Sequence, residues 1–127
     1  MPTPLPITAV LLSTLRRNGV RFAHWKSNFH LVEALAGETD LDLLIDAKDT
    51  AAFRASMKEV RARRIISQPW ASYPSVEDWL VFDGTTGSML HLHVHYALVT
   101  GLKRVKQLHL PWTQTVLSNL RNDPASN

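Results

Sequence analysis

Residues 40–46 read Asp-Leu-Asp-Leu-Leu-Ile-Asp, a pattern that leaves the chain few options. In an extended strand successive side chains point to opposite faces. Leu41, Leu43 and Ile45 then share one face, while Asp40, Asp42 and Asp46 share the other with Leu44. Such a strand needs a hydrophobic layer on one side and a polar setting on the other. Asp40 and Asp42 stand only a few ångströms apart in this arrangement, where like charges repel. A divalent cation with a taste for hard oxygen ligands, such as Mg²⁺, is the usual compensation. A solvated strand face accounts for the same two residues without one.

The remaining sequence supplies the layer this strand requires. The chain has 127 residues, 45% hydrophobic and 20% charged, which suits one globular domain and excludes bulk disorder. The spacing predicts a helix over 7–18, with Val10, Leu11 and Leu15 inward and Asn18-Gly19 as its stop. A short strand over 20–25 follows, then a helix capped at Ser27-Asn28 that buries Leu31, Val32 and Leu35 and ends at Gly37. After the acidic strand, Asp49 is expected to cap a basic helix reaching about Arg63, with Phe53, Met57 and Val60 inward. Ile65-Ile66 reads as a strand and 68–78 as a loop in which Glu77-Asp78 is solvated. Residues 79–82 and 88–98 read as strands joined by a turn at Asp83-Gly84-Thr85-Thr86-Gly87. Asp83 is either turn chemistry or a displaced acidic ligand, the turn being the simpler account. A last short helix fits within 108–121 after Pro111, and 122–127 reads as a disordered tail. The expected fold is a single α+β domain over 1–121: a mixed sheet flanked by helices.

A second pattern lies in the last of these strands. His91, His93 and His95 alternate with Leu92 and Val94, so all three imidazoles point one way. If that strand neighbours Asp40 and Asp42, the shared face is the candidate site. Imidazole can replace a carboxylate as metal ligand or act as general base. It favours transition metals over Mg²⁺, so the mixed set suggests Mn²⁺ or another divalent metal as readily. A half-buried strand with a polar imidazole face is the plain alternative.

Taken with Lys26-Ser27, separated from Asp40 by twelve residues, these patterns resemble the nucleotidyltransferases of the DNA polymerase β superfamily. That family carries a Gly-Ser pair at a strand end, a short helix, and an Asp-x-Asp on the next strand. The stretch from His24 to Asp46 also resembles minimal nucleotidyltransferase-like domains. Asp83…Gly87…Leu90-His91-Leu92-His93-Val94 resembles the run in which small-molecule nucleotidyltransferases carry a third acid, with His91 at the acid's position. The resemblance spans about residues 7–100. It implies a nucleotidyltransferase-like fold with catalytic Asp40, Asp42, His91 and His93. It implies metal ligation by Asp40, Asp42 and His91, and phosphate binding by Lys26 and Ser27. Two departures stand out: lysine replaces the family's glycine, and histidine replaces its third carboxylate.

The expected activity is metal-dependent transfer of a nucleotidyl group from a nucleoside triphosphate to a hydroxyl of a small molecule or protein. A catalytically degenerate nucleotide- or partner-binding module of the same fold is the alternative, and a His–Asp metal hydrolase a third. Trp25, Trp70, Tyr73, Trp79 and Trp112 include aromatics able to stack on a base. The absence of cysteine excludes disulfides and thiolate chemistry and is compatible with a reducing cytoplasm. Fourteen Lys and Arg against eleven Asp and Glu leave +3, which admits a phosphate-bearing ligand. Lys103, Arg104 and Lys106, and Arg61, Arg63 and Arg64, form small scattered groups, so nucleic acid is not an expected partner. No apolar run approaches the ~20 residues of a membrane span, so no membrane is expected. The Pro-rich start, with its late Arg16-Arg17, is not ordered like a secretory signal. The domain is small for both donor and acceptor pockets, so a homodimer or a partner domain is expected to complete them.

Overall fold

The acidic strand forms where its alternation places it. The computed structural model describes residues 1–26, 28–102 and 105–124. In it Leu41–Ile45 (β2) pairs antiparallel with Phe22–His24 (β1) on one side. On its other side β2 pairs parallel with Met89–His95 (β5). Val76–Phe82 (β4) pairs antiparallel with β5, and Arg63–Ile65 (β3) with β4. The mixed sheet therefore runs β1-β2-β5-β4-β3.

One face of this sheet is apolar and carries three helices. Pro6–Arg17 (α1), Leu31–Leu35 (α2) and Thr50–Glu59 (α3) share one buried cluster with Leu41, Leu43, Ile45, Leu90, Leu92 and Val94. Phe53 and Met57 of α3 are fully buried there, and Phe53 meets Trp79 edge-on at 5.9 Å. Each such side chain contributes about 1.5–3 kcal/mol by leaving water. The inward face of α1 is Leu11, Leu12 and Leu15, while Val10 points outward.

The other face is half covered. Leu98–Leu102 (β6) and Val105–Leu110 (β7) form a separate two-stranded sheet, followed by Thr113–Ser118 (α4). Leu98 and Leu117 pack on Leu44, with Ala23 and Trp25 alongside. Gln114 Nε2 donates to Asp46 at 3.4 Å, tying α4 to the end of β2. The leucine that shares the acidic face of β2 is thus sealed, and the Asp40–Asp42 end stays open. This is a single α+β domain.

Several expectations change. The strand expected over 88–98 ends at His95, because Leu98 turns away into the second sheet. The region read as a loop over 68–78 already contains the start of β4, so Glu77 and Asp78 lie in the sheet. Glu77 is buried on the helix side, where it accepts from Trp79 Nε1 and Tyr96 Oη, each at 3.0 Å, and from Arg54 Nη2 at 2.6 Å. Burial of Tyr96 itself, and after it the charge of Glu77, push the Tyr96 hydroxyl well above its ordinary pKa. The basic helix stops at Glu59, and Arg63 belongs to β3 instead. Asp49 makes no side-chain cap for it: its carboxylate accepts from Arg21 N at 2.9 Å. Capping falls to Asp46, which accepts from Lys48 N at 3.1 Å ahead of the short turn Ala47–Asp49. Ser27, Lys103, Arg104 and residues 125–127 of the tail lie outside the described residues.

Two features of the connections are testable. Gly37 has φ +76°, and a Cβ there would stand 2.8 Å from Leu5 Cδ1 and 3.1 Å from the Met89 carbonyl oxygen. Gly37→Ala should cost about 1–2 kcal/mol from the left-handed backbone alone. Gly84, with open space around it, should tolerate Ala within about 1 kcal/mol. Urea denaturation of both variants checks the contrast. Asp83 is the turn residue: it accepts from Ile7 N at 2.9 Å, Thr85 N at 2.8 Å and Thr86 N at 3.1 Å. The Ile7 bond is the largest cause of a carboxyl pKa held below 3.8; burial opposes it, and the Thr86 and Thr85 bonds add to it. A depressed folded pKa stabilises the protein above 3.8 and is lost as pH falls through the folded value. Acid unfolding of Asp83→Asn should therefore be less steep below that pH than that of the unaltered protein.

Candidate functional site

The parallel register of β2 and β5 places Asp42 opposite His93. The antiparallel register of β5 and β4 places His93 opposite Asp78. Three neighbouring strands thereby bring acids and imidazoles to one face. His91 Nδ1 lies 2.7 Å from Asp40 Oδ1, and its Nε2 lies 3.0 Å from Asp78 Oδ1. His93 Nε2 reaches the same Asp78 oxygen at 3.8 Å, and its Nδ1 lies 3.1 Å from Asp42 Oδ1. His95 Nε2 closes the series at 3.4 Å from Asp42 Oδ1. Asp40, His91, Asp78, His93, Asp42 and His95 form an alternating chain of carboxylates and imidazoles across the sheet.

Burial deepens along that chain. The Asp40 side chain is 54% exposed, Asp42 12% and His95 0%. His95 has its pKa lowered, first by burial and against the pull of the Asp42 hydrogen bond. Its Nδ1 has no hydrogen-bond partner among the described residues. His91 has a different count. A neutral imidazole carries one N–H and can donate to one of its two carboxylate neighbours; only the doubly protonated ring donates to both.

The expected residues divide into two groups. Asp42 and His93 come together with His95, one donor atom from each lying within 4.8 Å of the others. His91 pairs with Asp40 and with Asp78, further out. Asp78 was not among the sequence candidates. It holds its place through Ser67 Oγ, which donates to its second oxygen at 3.1 Å. Alternation of Asp78 with the buried Trp79 and Val81 was the available signal, masked by a loop-like run of prolines and small residues before it. Asp46, the third acid of the β2 face, is structural: it is buried, pairs with Arg21 Nη1 at 3.2 Å and caps the turn after β2.

Lys26 follows β1, and Trp25 N donates to the Asp42 carbonyl at 3.1 Å, which holds this segment beside the acidic strand. Lys26 lies near enough for its charge to help depress His95. Its φ of +69° is a conformation that favours glycine, at the position where the resembled family has one. The aromatic candidates spread out. Trp79 is in the core, Trp25 packs in the smaller cluster, and Trp70 and Trp112 are exposed. Tyr73 borders a small cleft of about 70 Å³ that also reaches Asp78. A larger cleft of about 810 Å³ lies elsewhere, against β1 and α4, with Arg16, Arg21 and His24 in its wall. His24 there is held below its ordinary pKa mainly by burial.

The backbone at Lys26 gives a direct test. Lys26→Gly removes a left-handed side chain, worth about 1–2 kcal/mol, and adds unfolded-state freedom worth roughly 0.5–1 kcal/mol. The expected thermal midpoint equals or exceeds that of the unaltered protein, whereas Lys26→Val unfolds earlier. The reverse order would show that the left-handed turn is not kept in solution. No protein-family model, curated protein sequence or solved structure matches this chain.

Proposed function

We propose that this protein transfers a nucleotidyl group from a nucleoside triphosphate to a hydroxyl of a small molecule or protein, on a nucleotidyltransferase-like fold. The observation that carries the reading is the shared face of β2, β5 and β4, where Asp40, Asp42 and Asp78 converge around the histidine strand. Asp78 supplies from β4 the third carboxylate that His91 displaces from β5. The half-buried Asp42 with two imidazoles beside it fits a divalent cation, Mg²⁺ or a transition metal. When bound, that cation neutralises charge on the phosphates.

The chain's own groups do the rest. Lys26, beside Asp42, offers a positive point charge to the triphosphate. The acceptor oxygen attacks the α-phosphorus, the bond to the β-phosphate bridge breaks, and pyrophosphate leaves. The hydroxyl proton passes to the Asp78–His91 pair at the open end of the face. Ser27 belongs to the same reading as a hydrogen-bond donor to phosphate. A second copy or a partner domain completes the acceptor pocket, and a cytoplasmic setting goes with it. Among the described residues no helix is long and apolar enough to cross a membrane.

A second reading has one observation in its favour. Each of the three carboxylates already has an imidazole partner, so the face is compensated within the chain. A nucleotide- or partner-binding module that has lost turnover would look the same. Incubation with α-labelled nucleoside triphosphates, a hydroxyl acceptor library and divalent metals separates the two. Label transfer that falls roughly 100-fold or more in Asp42→Asn, with the fold intact, supports transfer. Nucleotide binding without transfer, unchanged in that variant, supports the module.

A further inference from the structure

The inner end of the acid–imidazole chain has a geometry of its own. Asp42, His93 and His95 each present one donor atom, all within 4.8 Å of one another. Asp42 Oδ1 stands 3.1 Å from His93 Nδ1 and 3.4 Å from His95 Nε2. A tetrahedral centre with bonds of ~2.0–2.1 Å separates its ligands by about 3.3–3.4 Å. Both separations fall within a few tenths of an ångström of that edge.

His95 adds an independent observation. It is fully buried, its Nδ1 has no hydrogen-bond partner among the described residues, and the 3.4 Å from its Nε2 to Asp42 is long for a hydrogen bond. Buried polar groups are ordinarily satisfied, and a wholly buried imidazole left this short of partners calls for a reason. Its Nε2 points at the carboxylate oxygen that His93 also faces. The rings of His93 and His95 meet edge-on with centroids 4.8 Å apart, which sets two nitrogens around one oxygen rather than stacking the rings.

The donors decide the class of ligand. Mg²⁺ takes near-octahedral oxygen sets and keeps several waters. Two imidazoles and one carboxylate are the donor set of a borderline transition-metal ion. We propose that Asp42, His93 and His95 bind one borderline divalent cation, of which Zn²⁺ is the type. Asp78 Oδ1 stands 3.8 Å from His93 Nε2, on the side of that ring away from Asp42. The inference rests on the reading above only in that Asp42 meets a cation; it replaces Mg²⁺ as the ion and needs no nucleotide.

Binding is therefore measured without nucleotide or turnover. The metal-stripped full chain is titrated with Zn²⁺ alone, Mg²⁺ alone and Co²⁺ alone, the last followed by visible absorption. Expected are one Zn²⁺ per chain, no comparable Mg²⁺ binding, and an intense visible band of low-coordinate Co²⁺. Asp42→Asn and His93→Gln should each weaken Zn²⁺ by more than the roughly 10- to 100-fold that loss of an outer partner costs, with circular dichroism unchanged. His91→Gln should keep the site. The proposal is overturned if Zn²⁺ is not retained, if those two variants hold it as tightly as the unaltered chain, or if Mg²⁺ displaces it at equal concentration. Zn²⁺ bound without nucleotidyl transfer upholds the site and counts against the transfer reading. Transfer supported by Mg²⁺ in a chain that binds no Zn²⁺ does the opposite.

Discussion

In the parallel ladder between β2 and β5, Leu41 stands opposite Leu92, Asp42 opposite His93 and Leu43 opposite Val94. Because strand side chains alternate with a period of two, a slip of one residue would turn Asp42 into the helical layer and expose Leu41 and Leu43. All four of those leucine and valine neighbours are buried. The hydrophobic face thus locks the register that assembles the polar one. Packing of the helices on the apolar face thereby decides where Asp40 and Asp42 stand on the other.

The polar face is held in a balance between two electrostatic solutions. Imidazoles compensate the carboxylates by hydrogen bonding, which suits the outer and more hydrated Asp40–His91–Asp78 group. Toward the interior the same alternation leaves His95 poorly satisfied, because solvent cannot supply its missing partner. One gradient of burial along a strand thereby gives two ends of different chemistry from a single repeating pattern.

Much of this was legible in the sequence because period-two alternation survives folding. Asp40-Leu41-Asp42-Leu43 and His91-Leu92-His93-Val94-His95 each announce a strand and a face. What alternation does not encode is which strands become neighbours, so the pairing of Asp42 with His93 was conditional until the fold was seen. Asp78 was missed for a related reason: its strand begins inside a segment of loop-like composition, and Glu77 and Asp78 look like a solvated pair. They part to opposite faces, one into a cluster with Arg54, Trp79 and Tyr96, the other into the site. The histidine strand was carried on to residue 98, and the β6–β7 pair not anticipated, because apolar residues run on through Tyr96 to Val99 with no turn signal between. The change of sheet there is a tertiary decision, made by packing on Leu44.

The far edge of the sheet carries a quieter consequence. β3 is three residues long, exposed throughout, and displays Arg63 and Arg64. An open strand edge is a template on which another chain can assemble, and the exposed Ile66 just beyond would reward such an encounter. Two copies approaching through this edge would bring guanidinium against guanidinium along a very short ladder. Charge on so short an edge is the kind of feature that disfavours edge-to-edge pairing.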